Sequence, residues 1–237
     1  MSARIHPTAI IEPCVQLGED VEVGAYSVLG GAPQWRGHPA HPRGRVLIGD
    51  GTIIRSHVTI DAPAATPLTH VGRKCYLLHG SHVAHDCLVG DGVTLANHAT
   101  LGGHTWIDDR AYLGFNASTH PYTTIGGYAM IGCGTPCTHD VPPFVVAYGS
   151  PCRWRKLNVV GLRRARFEWL EPAIRDILHR WNRGPIAYGS SVAWTYLTPV
   201  FQWYAAGRGR GGRGEARFGG NVNSDLSLQI PGLEVNE

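Results

Sequence analysis

Aliphatic residues recur at every sixth position through the middle of the chain, from Val71 to Cys137. The positions are Val71, Leu77, Val83, Val89, Leu95, Leu101, Ile107, Leu113, Thr119, Ile125, Ile131 and Cys137. The following residue is often small, and the same spacing occurs within residues 5–23 and 48–60. A period of six fits neither an amphipathic helix nor an alternating strand. It is typical of a parallel β-helix, in which short strands wrap a triangular prism.

Each hexad is expected to form one side of the prism, with its aliphatic residue pointing inward and its small residue at a corner. Three hexads complete one coil, and successive coils stack at about 4.8 Å, the spacing between paired strands. Residues eighteen apart therefore lie above one another. Because one coil cannot bury its aliphatic residues alone, stability comes from the stacking of neighbours. The fold class predicted is mainly β.

The repeat is interrupted twice. Segments rich in proline, glycine and alanine form excursions at 30–45 and 61–70 within a β-helix domain predicted to span residues 1–152. At the end of the regular run, Pro142 and Pro143 are expected to stop strand pairing, because proline donates no backbone hydrogen bond.

The last third of the chain has a different composition. Helix-forming residues with apolar spacing predict a C-terminal helical region at 153–206. The sequence GRGRGGRG opens a segment, 207–237, that is predicted to be a flexible tail. Twelve of the 19 arginines lie from Arg153 onward. They form either a solvated surface or a surface for an acidic partner or a phosphate.

Charge and cysteine usage exclude several classes of protein. The net charge of +3 over 237 residues is too small to indicate a nucleic-acid partner. The six cysteines show no CxxC pair and no disulfide-scaffold spacing, and the N-terminus lacks the pattern of a signal peptide. No stretch has the ~18–20 apolar residues needed to cross a bilayer. A cytoplasmic protein with no transmembrane segment is predicted.

Histidines concentrate in the regular run, where eight of the 13 lie between His70 and His139. Stacking at eighteen residues places Gly103 above His85 and His104 above Asp86. His82 lies half a hexad from His85, and His120 stacks over Gly102. A neutral histidine can take a proton from a hydroxyl, and an adjacent carboxylate can orient its ring. A backbone N–H above it can stabilise an oxyanion. Together these groups suit acyl transfer to an alcohol.

Two other interpretations of the histidines remain open from spacing alone. They can be ordinary surface residues, since they fall at outward positions of the hexads. They can also hold zinc between neighbouring subunits of a hexapeptide prism. Residue 67, eighteen before His85, is a proline that cannot ligate a metal. No metal site is therefore predicted.

Residues 81–104, SHVAHDCLVGDGVTLANHATLGGH, resemble the UDP-N-acetylglucosamine O-acyltransferases that open lipid A synthesis. IHPTAI at 5–10, HDVPPFVVAYGSP at 139–151 and NVVGLRR at 158–164 extend the resemblance. It implies a left-handed parallel β-helix with a C-terminal α-helical region, assembled as a homotrimer with active sites between subunits. It further implies transfer of a 3-hydroxyacyl group from acyl carrier protein to a hydroxyl of a UDP-sugar. UDP-N-acetylglucosamine is the expected acceptor, and no cofactor is expected.

The resemblance also assigns roles to individual residues. It implies that His85 is the catalytic base, that Asp86 is its partner and that the Gly103 amide faces the oxyanion. The positions that it implies for substrate binding are His82, His104, His120, Gln34, Asn158 and Arg164. Cys133 falls where the family sets acyl-chain length, and it is expected to shorten the accepted chain.

The sequence departs from the family pattern around the expected acceptor site. The family's Gln-Asp-Leu-Lys reads Gln-Trp-Arg-Gly at 34–37, so an acid and a lysine are missing. Asp61 replaces a histidine, Pro121 a glutamine and Val160 an acid. These changes spare the catalytic residues. Two alternatives follow: a related acyltransferase for another nucleotide sugar or a nucleoside, and a non-catalytic hexapeptide scaffold that binds a sugar nucleotide or a partner protein.

Overall fold

The computed structural model describes residues 3–36, 44–181 and 192–207. Part of the first predicted excursion, residues 37–43, and the predicted tail beyond residue 207 lie outside the described residues. Within these ranges, twenty-two short strands precede three α-helices and a 3₁₀ turn.

The strands form three sheets, and up to β20 each sheet takes every third strand of the chain, after which β21 and β22 both join the first sheet. The first face contains β1 (Arg4–Ile5), β4 (Glu22–Val23), β7 (Ile53–Ile54), β10 (Tyr76–Leu77), β13 (Thr94–Leu95), β16 (Tyr112–Leu113), β19 (Met130–Ile131), β21 (Val145–Tyr148) and β22 (Arg153–Leu157). The second contains β2 (Ile10–Ile11), β5 (Val28–Gly31), β8 (Thr59–Asp61), β11 (His82–Val83), β14 (Thr100–Leu101), β17 (Ser118–Thr119) and β20 (Pro136–Cys137). The third contains β3 (Val15–Leu17), β6 (Arg45–Ile48), β9 (Leu68–Val71), β12 (Leu88–Val89), β15 (Trp106–Ile107) and β18 (Thr124–Ile125).

Parallel pairing at eighteen residues confirms the predicted repeat. Leu77 pairs with Leu95 on the first face, and Val83 pairs with Leu101 on the second. The twelve positions of the sixfold pattern are all buried, Thr119 and Cys137 included. Each fully buried aliphatic side chain contributes about 1.5–3 kcal/mol of hydrophobic stabilisation. The fold is a left-handed parallel β-helix, as predicted.

Tight turns form the three edges of the prism, and each edge carries a column of residues with positive φ. The first edge, between the first and second faces, has Tyr26, His57, Gly80, His98, Asn116 and Gly134. The second edge, between the second and third faces, has Asp86, His104 and Tyr122. The third edge has Asp20, Gly51, Lys74, Gly92, Arg110, Tyr128 and Phe144. Because positive φ is unfavourable for side-chain-bearing residues, the stacked coils must hold these turns in place.

The two prolines at 142–143 do not end strand pairing, contrary to the expectation from sequence. Ile125 forms a parallel bridge with Val141, and β21 pairs in parallel with β19. The prolines occupy the turn before β21, where no ladder N–H is needed. Pairing then reverses direction, because β22 runs antiparallel to β21.

The C-terminal region begins with β22, so the helical region predicted from residue 153 differs from the structure in its first five residues. The helices are α1 (Val159–Arg164), α2 (Glu171–Trp181) and α3 (Val192–Gly207), with the 3₁₀ turn at Glu168–Leu170 before α2. Pro172 lies in the first turn of α2, where a missing N–H costs little. Trp203 of α3 packs against Trp106 on the third face. No described helix is long and apolar enough to cross a membrane.

Candidate active site

His85 and Asp86 lie in the turn between β11 and β12, on the second edge of the prism. Nδ1 of His85 is 2.7 Å from Oδ2 of Asp86. Asp86 has a positive φ of 61°, and its buried carboxylate lies beside Nδ1 of the His85 ring rather than in solvent. Because Nδ1 faces the carboxylate, it carries the proton, and Nε2 is left unprotonated as a base.

Asp86 is held by the loop 62–67, the part of the second predicted excursion that lies outside the strands. The backbone N–H groups of Ala64, Ala65 and Thr66 donate to its carboxylate, with the Thr66 amide at 2.7 Å. The Thr66 hydroxyl donates at 2.6 Å. The Asp86 side chain is fully buried. Burial alone would raise its pKa, but the hydrogen bonds from Thr66, His85 and Ala65 outweigh it and lower the pKa below its usual value. The carboxylate therefore stays ionised at neutral pH.

His104 and Tyr122 continue the column above this pair. Nε2 of His104 is 3.5 Å from Oδ2 of Asp86. The His104 ring meets the His85 ring edge-on at 5.3 Å between centroids, and it stacks on Tyr122 at 4.4 Å. These contacts limit how far the His85 ring can move, which favours a fixed direction for Nε2.

Gly103 lies against the His85 ring, as the stacking predicted. A Cβ at Gly103 would be 2.6 Å from Cε1 and 2.7 Å from Nε2 of His85. The Gly103 carbonyl accepts from the Tyr122 N–H at 2.9 Å. Its own N–H takes part in no hydrogen bond among the described residues. A donor of this kind beside the base can receive an oxyanion.

His82 and Asp61 form a second polar group on the second face of the prism. His82 lies on β11, directly before the turn with His85, and Asp61 lies on the neighbouring strand β8. Nδ1 of His82 is 2.7 Å from the Thr59 hydroxyl, and Nε2 is 3.9 Å from Oδ2 of Asp61. Burial and the nearby His85 lower the pKa of His82. Burial raises the pKa of Asp61 to about 6, against the opposing effects of the Gln34 N–H and His85.

Of the remaining residues implied for substrate binding, Gln34 and His120 lie near this part of the prism. Gln34 reaches the group through its backbone N–H, which donates to Asp61 at 3.4 Å, while its side chain is exposed. His120 lies on the same edge in the coil above Gly102, and its ring Nδ1 is 3.0 Å from the Pro121 carbonyl.

Asn158, Arg164 and Cys133 lie on other edges. Asn158 is the N-cap of α1, accepting from the Gly161 N–H at 2.9 Å, and its amide donates to the Tyr128 carbonyl on the third edge. Arg164 is exposed at the end of α1. Cys133 is exposed on the first edge, beside Gly134. The structure therefore does not bring these three residues to His85 within one chain.

His85, Asp86 and His104 are the one group of described residues that offers three metal-ligand atoms within 4.8 Å. The carboxylate of this group already accepts bonds from Thr66, Ala64, Ala65 and His85. A metal would have to displace these donors, so the arrangement suits a carboxylate that orients a histidine. The absence of a metal site stays a prediction.

Sequence reasoning missed the residues that support the site, Thr59, Thr66 and Tyr122. Tyr122 could have been found, because it lies eighteen residues after His104. Thr59 and Thr66 could not, because the second excursion changes the spacing between coils.

Comparisons with known proteins identify the family. The family described as bacterial transferase hexapeptide matches residues 68–103, and the UDP N-acetylglucosamine O-acyltransferase domain 2 family matches residues 140–179. An acyl-(acyl-carrier-protein)–UDP-N-acetylglucosamine O-acyltransferase of Thiobacillus denitrificans is 32% identical over 203 residues, covering 70% of this chain and 78% of the relative. One from Alkalilimnicola ehrlichii is 37% identical over 199 residues, covering 68% and 77%. The chain belongs to the UDP-N-acetylglucosamine O-acyltransferase family.

A solved structure supports the same relationship. The UDP-N-acetylglucosamine acyltransferase of Bacteroides fragilis superposes with a TM-score of 0.73 at 28% identity, covering 84% of this chain and 83% of that one. The resemblance seen in residues 81–104 is therefore confirmed at the level of the family. Membership of this family makes the chain an acyltransferase.

Proposed function

We propose that this chain transfers an acyl group from the thioester of an acyl carrier protein to a hydroxyl of UDP-N-acetylglucosamine, without a cofactor. The names of its relatives specify this donor and this acceptor. The observation that carries the proposal is the His85–Asp86 pair, whose ring lies against Gly103, a residue whose N–H takes part in no hydrogen bond among the described residues.

The chemistry follows from the geometry. Nε2 of His85 takes the proton of the acceptor hydroxyl as its oxygen bonds to the thioester carbon. Asp86 stays ionised and stabilises the imidazolium through Nδ1. The Gly103 N–H donates to the oxyanion of the tetrahedral intermediate, which then expels the thiolate, and His85 returns the proton to that sulfur. General-base catalysis contributes roughly 10²–10⁴-fold, and one oxyanion donor contributes about 10²–10³-fold.

Replacement of His85 by alanine tests the proposal, with His79→Ala as a matched control. His79 is six residues earlier, at the corresponding place on the first edge, where its ring contacts Ser56 at 3.0 Å. We expect His85→Ala to abolish acyl transfer while UDP-N-acetylglucosamine still binds, and His79→Ala to keep normal turnover. Full activity of His85→Ala would refute the assignment.

We further propose a homotrimer in the cytoplasm, with active sites shared between copies. Within one chain Asn158 donates to the Tyr128 carbonyl on the third edge and caps the helix that ends at Arg164, whereas His85 lies on the second edge. We therefore expect the nucleotide-binding residues to reach His85 from another copy. Subunits carrying His85→Ala and subunits carrying Arg164→Ala should each be inactive. Co-expression of the two should restore part of the activity, because mixed trimers contain sites with both residues intact. No recovery in mixed trimers would contradict a shared site.

The carrier protein is assigned to the basic C-terminal region. Arg153, Arg155 and Lys156 are exposed on β22, the last strand of the first face. An acidic carrier would be attracted to this strand, and salt screens such attraction. The Michaelis constant for the donor should therefore rise with ionic strength in the native protein and respond less in an Arg153→Ala, Arg155→Ala double variant.

One observation favours a second acceptor. Residues 35–37 and Asp61 differ from the family pattern at positions expected to bind the acceptor. A panel of nucleotide sugars and nucleosides, assayed with one acyl donor, separates the two acceptors by their values of kcat/KM. Ligand binding without turnover for every donor would favour the non-catalytic scaffold.

A further inference from the structure

Asp61, one position at which this chain departs from its family, contacts the residue directly before another departure, Trp35. Residues 34–37 follow β5, and Asp61 ends β8 on the next coil of the same face. The Gln34 N–H donates to Oδ2 of Asp61 at 3.4 Å. Gly31 lies beside Asp61 in the paired strand, so a small neighbour leaves space next to the carboxylate. Asp61 and the start of the altered segment 35–37 are therefore neighbours.

Asp61 differs from the other buried carboxylates of the described residues because one of its oxygens accepts no hydrogen bond from them. Three aspartates are buried in the described part of the chain, Asp61, Asp86 and Asp108. Both oxygens of Asp86 accept hydrogen bonds, and those of Asp108 accept from the Asp109 and Gly127 N–H groups. Oδ2 of Asp61 accepts from Gln34, whereas Oδ1 accepts no hydrogen bond from any described residue. Oδ1 is not fully enclosed by the described residues, so a ligand can reach it.

The position of Asp61 points to the reacting groups. Its side chain is 6% exposed, and its Oδ2 lies 3.9 Å from Nε2 of His82. His82 lies on β11, and His85 follows in the turn that ends this strand, so Asp61 lies beside the segment that carries the base. A molecule whose hydroxyl reaches His85 would therefore place its adjoining atoms near Asp61. An ionised carboxylate accepts hydrogen bonds and donates none, so it suits a ligand that presents an O–H or N–H.

We propose that Asp61 determines acceptor specificity, its Oδ1 accepting a hydrogen bond from a donor group on the sugar ring whose hydroxyl His85 deprotonates. This inference rests on the proposed function and deepens it. The family pattern has an acid at residue 35, where this chain has Trp35. Asp61 supplies a carboxylate from the next coil instead, and the Gln34 amide holds it.

Binding measurements with UDP-N-acetylglucosamine and with UDP test this role, because UDP lacks the sugar. In Asp61→Ala, the Kd for UDP-N-acetylglucosamine should rise about 10–100-fold, the range expected for losing a hydrogen bond to a charged group. The Kd for UDP and the Michaelis constant for the acyl donor should not change. Asp61→Asn keeps a neutral acceptor and should give an intermediate Kd. Asp108→Asn, at a buried carboxylate outside the site, should bind both ligands as the native protein does.

The pH dependence provides a readout that a structural role would not change. His82 and His85 also face Asp61 and carry titratable rings, but both are present in Asp61→Asn. The Kd of Asp61→Asn for UDP-N-acetylglucosamine, divided by that of the native protein, therefore reports the effect of Asp61 alone. This ratio should fall towards one as the pH drops below about 6, where Asp61 becomes protonated.

The outcomes separate the inference from the function on which it rests. Equal weakening of UDP and UDP-N-acetylglucosamine binding in Asp61→Ala, or no weakening of either, would overturn the role of Asp61 alone. Absence of UDP-N-acetylglucosamine binding by the native protein would overturn the proposed acceptor and this inference together. Selective weakening for the sugar-bearing ligand supports both.

Discussion

Replacement of Gly103 by alanine tests the contact between this residue and the catalytic base. The added methyl would lie 2.6 Å from Cε1, 2.7 Å from Nε2 and 3.2 Å from Nδ1 of His85. An ordinary carbon contact needs about 3.5–4.0 Å, so the ring must move by roughly 1 Å. Gly103 has no positive φ that would strain an alanine. The effect therefore comes from the collision alone.

The ring has little freedom to move by that distance. Its Nδ1 is held by Asp86 at 2.7 Å, and its face meets the edge of the His104 ring. Displacement lengthens the bond to Asp86 and turns Nε2 away from the acceptor hydroxyl. A misplacement of about 1 Å can cost 10²-fold in rate, or about 2.7 kcal/mol in activation free energy. The loss should appear in kcat, because Gly103→Ala removes no group that binds the nucleotide.

Steady-state kinetics with acyl donor and UDP-N-acetylglucosamine measures the effect. Gly80→Ala is the matched control, since its methyl would lie 2.5 Å from Nδ1 and 2.6 Å from Cε1 of His98 on the first edge. This control creates the same crowding of a histidine ring, and the positive φ of Gly80 adds strain. It should lower Tm at least as much as Gly103→Ala yet keep a normal kcat. A kcat for Gly103→Ala within threefold of the native value would refute the proposed geometry.

Three further predictions concern the acid, the acyl chain and the cysteines. Thr66→Ala removes a 2.6 Å hydrogen bond to the ionised Asp86 and should lower the free energy of unfolding by about 1.5–3 kcal/mol at pH 7. Because the folded-state pKa of Asp86 is lowered, this contribution exists above the unfolded pKa of about 3.9. It is lost as the pH falls through the folded pKa, so denaturation curves of the two proteins should converge below pH ~4. Cys133→Gly should shift the preference among acyl carrier protein thioesters towards longer chains, and an unchanged preference would contradict the role of Cys133. The sulfurs of Cys137 and Cys152 are 3.6 Å apart. Oxidation by glutathione disulfide should therefore form a disulfide between them, with loss of two hydrogens and release of two molecules of reduced glutathione. Peptide mass mapping would detect this link. Cys152→Ser should abolish this link, and its persistence would exclude the pair.

The sequence predicts the fold and the centre of the site wherever the eighteen-residue spacing is unbroken. His85, Gly103 and Pro121 are equally spaced in such a run, so their stacking follows from counting. The inward aliphatic positions follow in the same way. What counting cannot give is the direction of a side chain in a corner turn, because that depends on the αL conformation of Asp86.

Contacts between coils cannot be predicted from the sequence where an excursion lies between them, because the eighteen-residue spacing is lost there. Thr59 pairs with His82, and Val28 pairs with Thr59. Neither separation is eighteen, because each excursion adds residues between the coils. A loop outside the prism has no repeat that fixes where it turns back. The proximity of Asp61 to His82, and of Thr66 to Asp86, could therefore not be read from the sequence.

The excursions leave the prism at one place, and this explains how a repetitive fold holds a catalytic carboxylate. Residues after β5 and after β8 both depart at the second edge, the edge that carries His85 and Asp86 after β11. In a regular turn the backbone amides bond to the adjacent coil, as the His104 N–H does to the His85 carbonyl. Such turns therefore have few unbonded N–H groups that could donate to a buried anion. Inserted residues are free of that pairing, so the amides of Ala64, Ala65 and Thr66 can converge on Asp86. The irregular segments thus supply what the repeat cannot, a site for an ionised acid beneath the histidine.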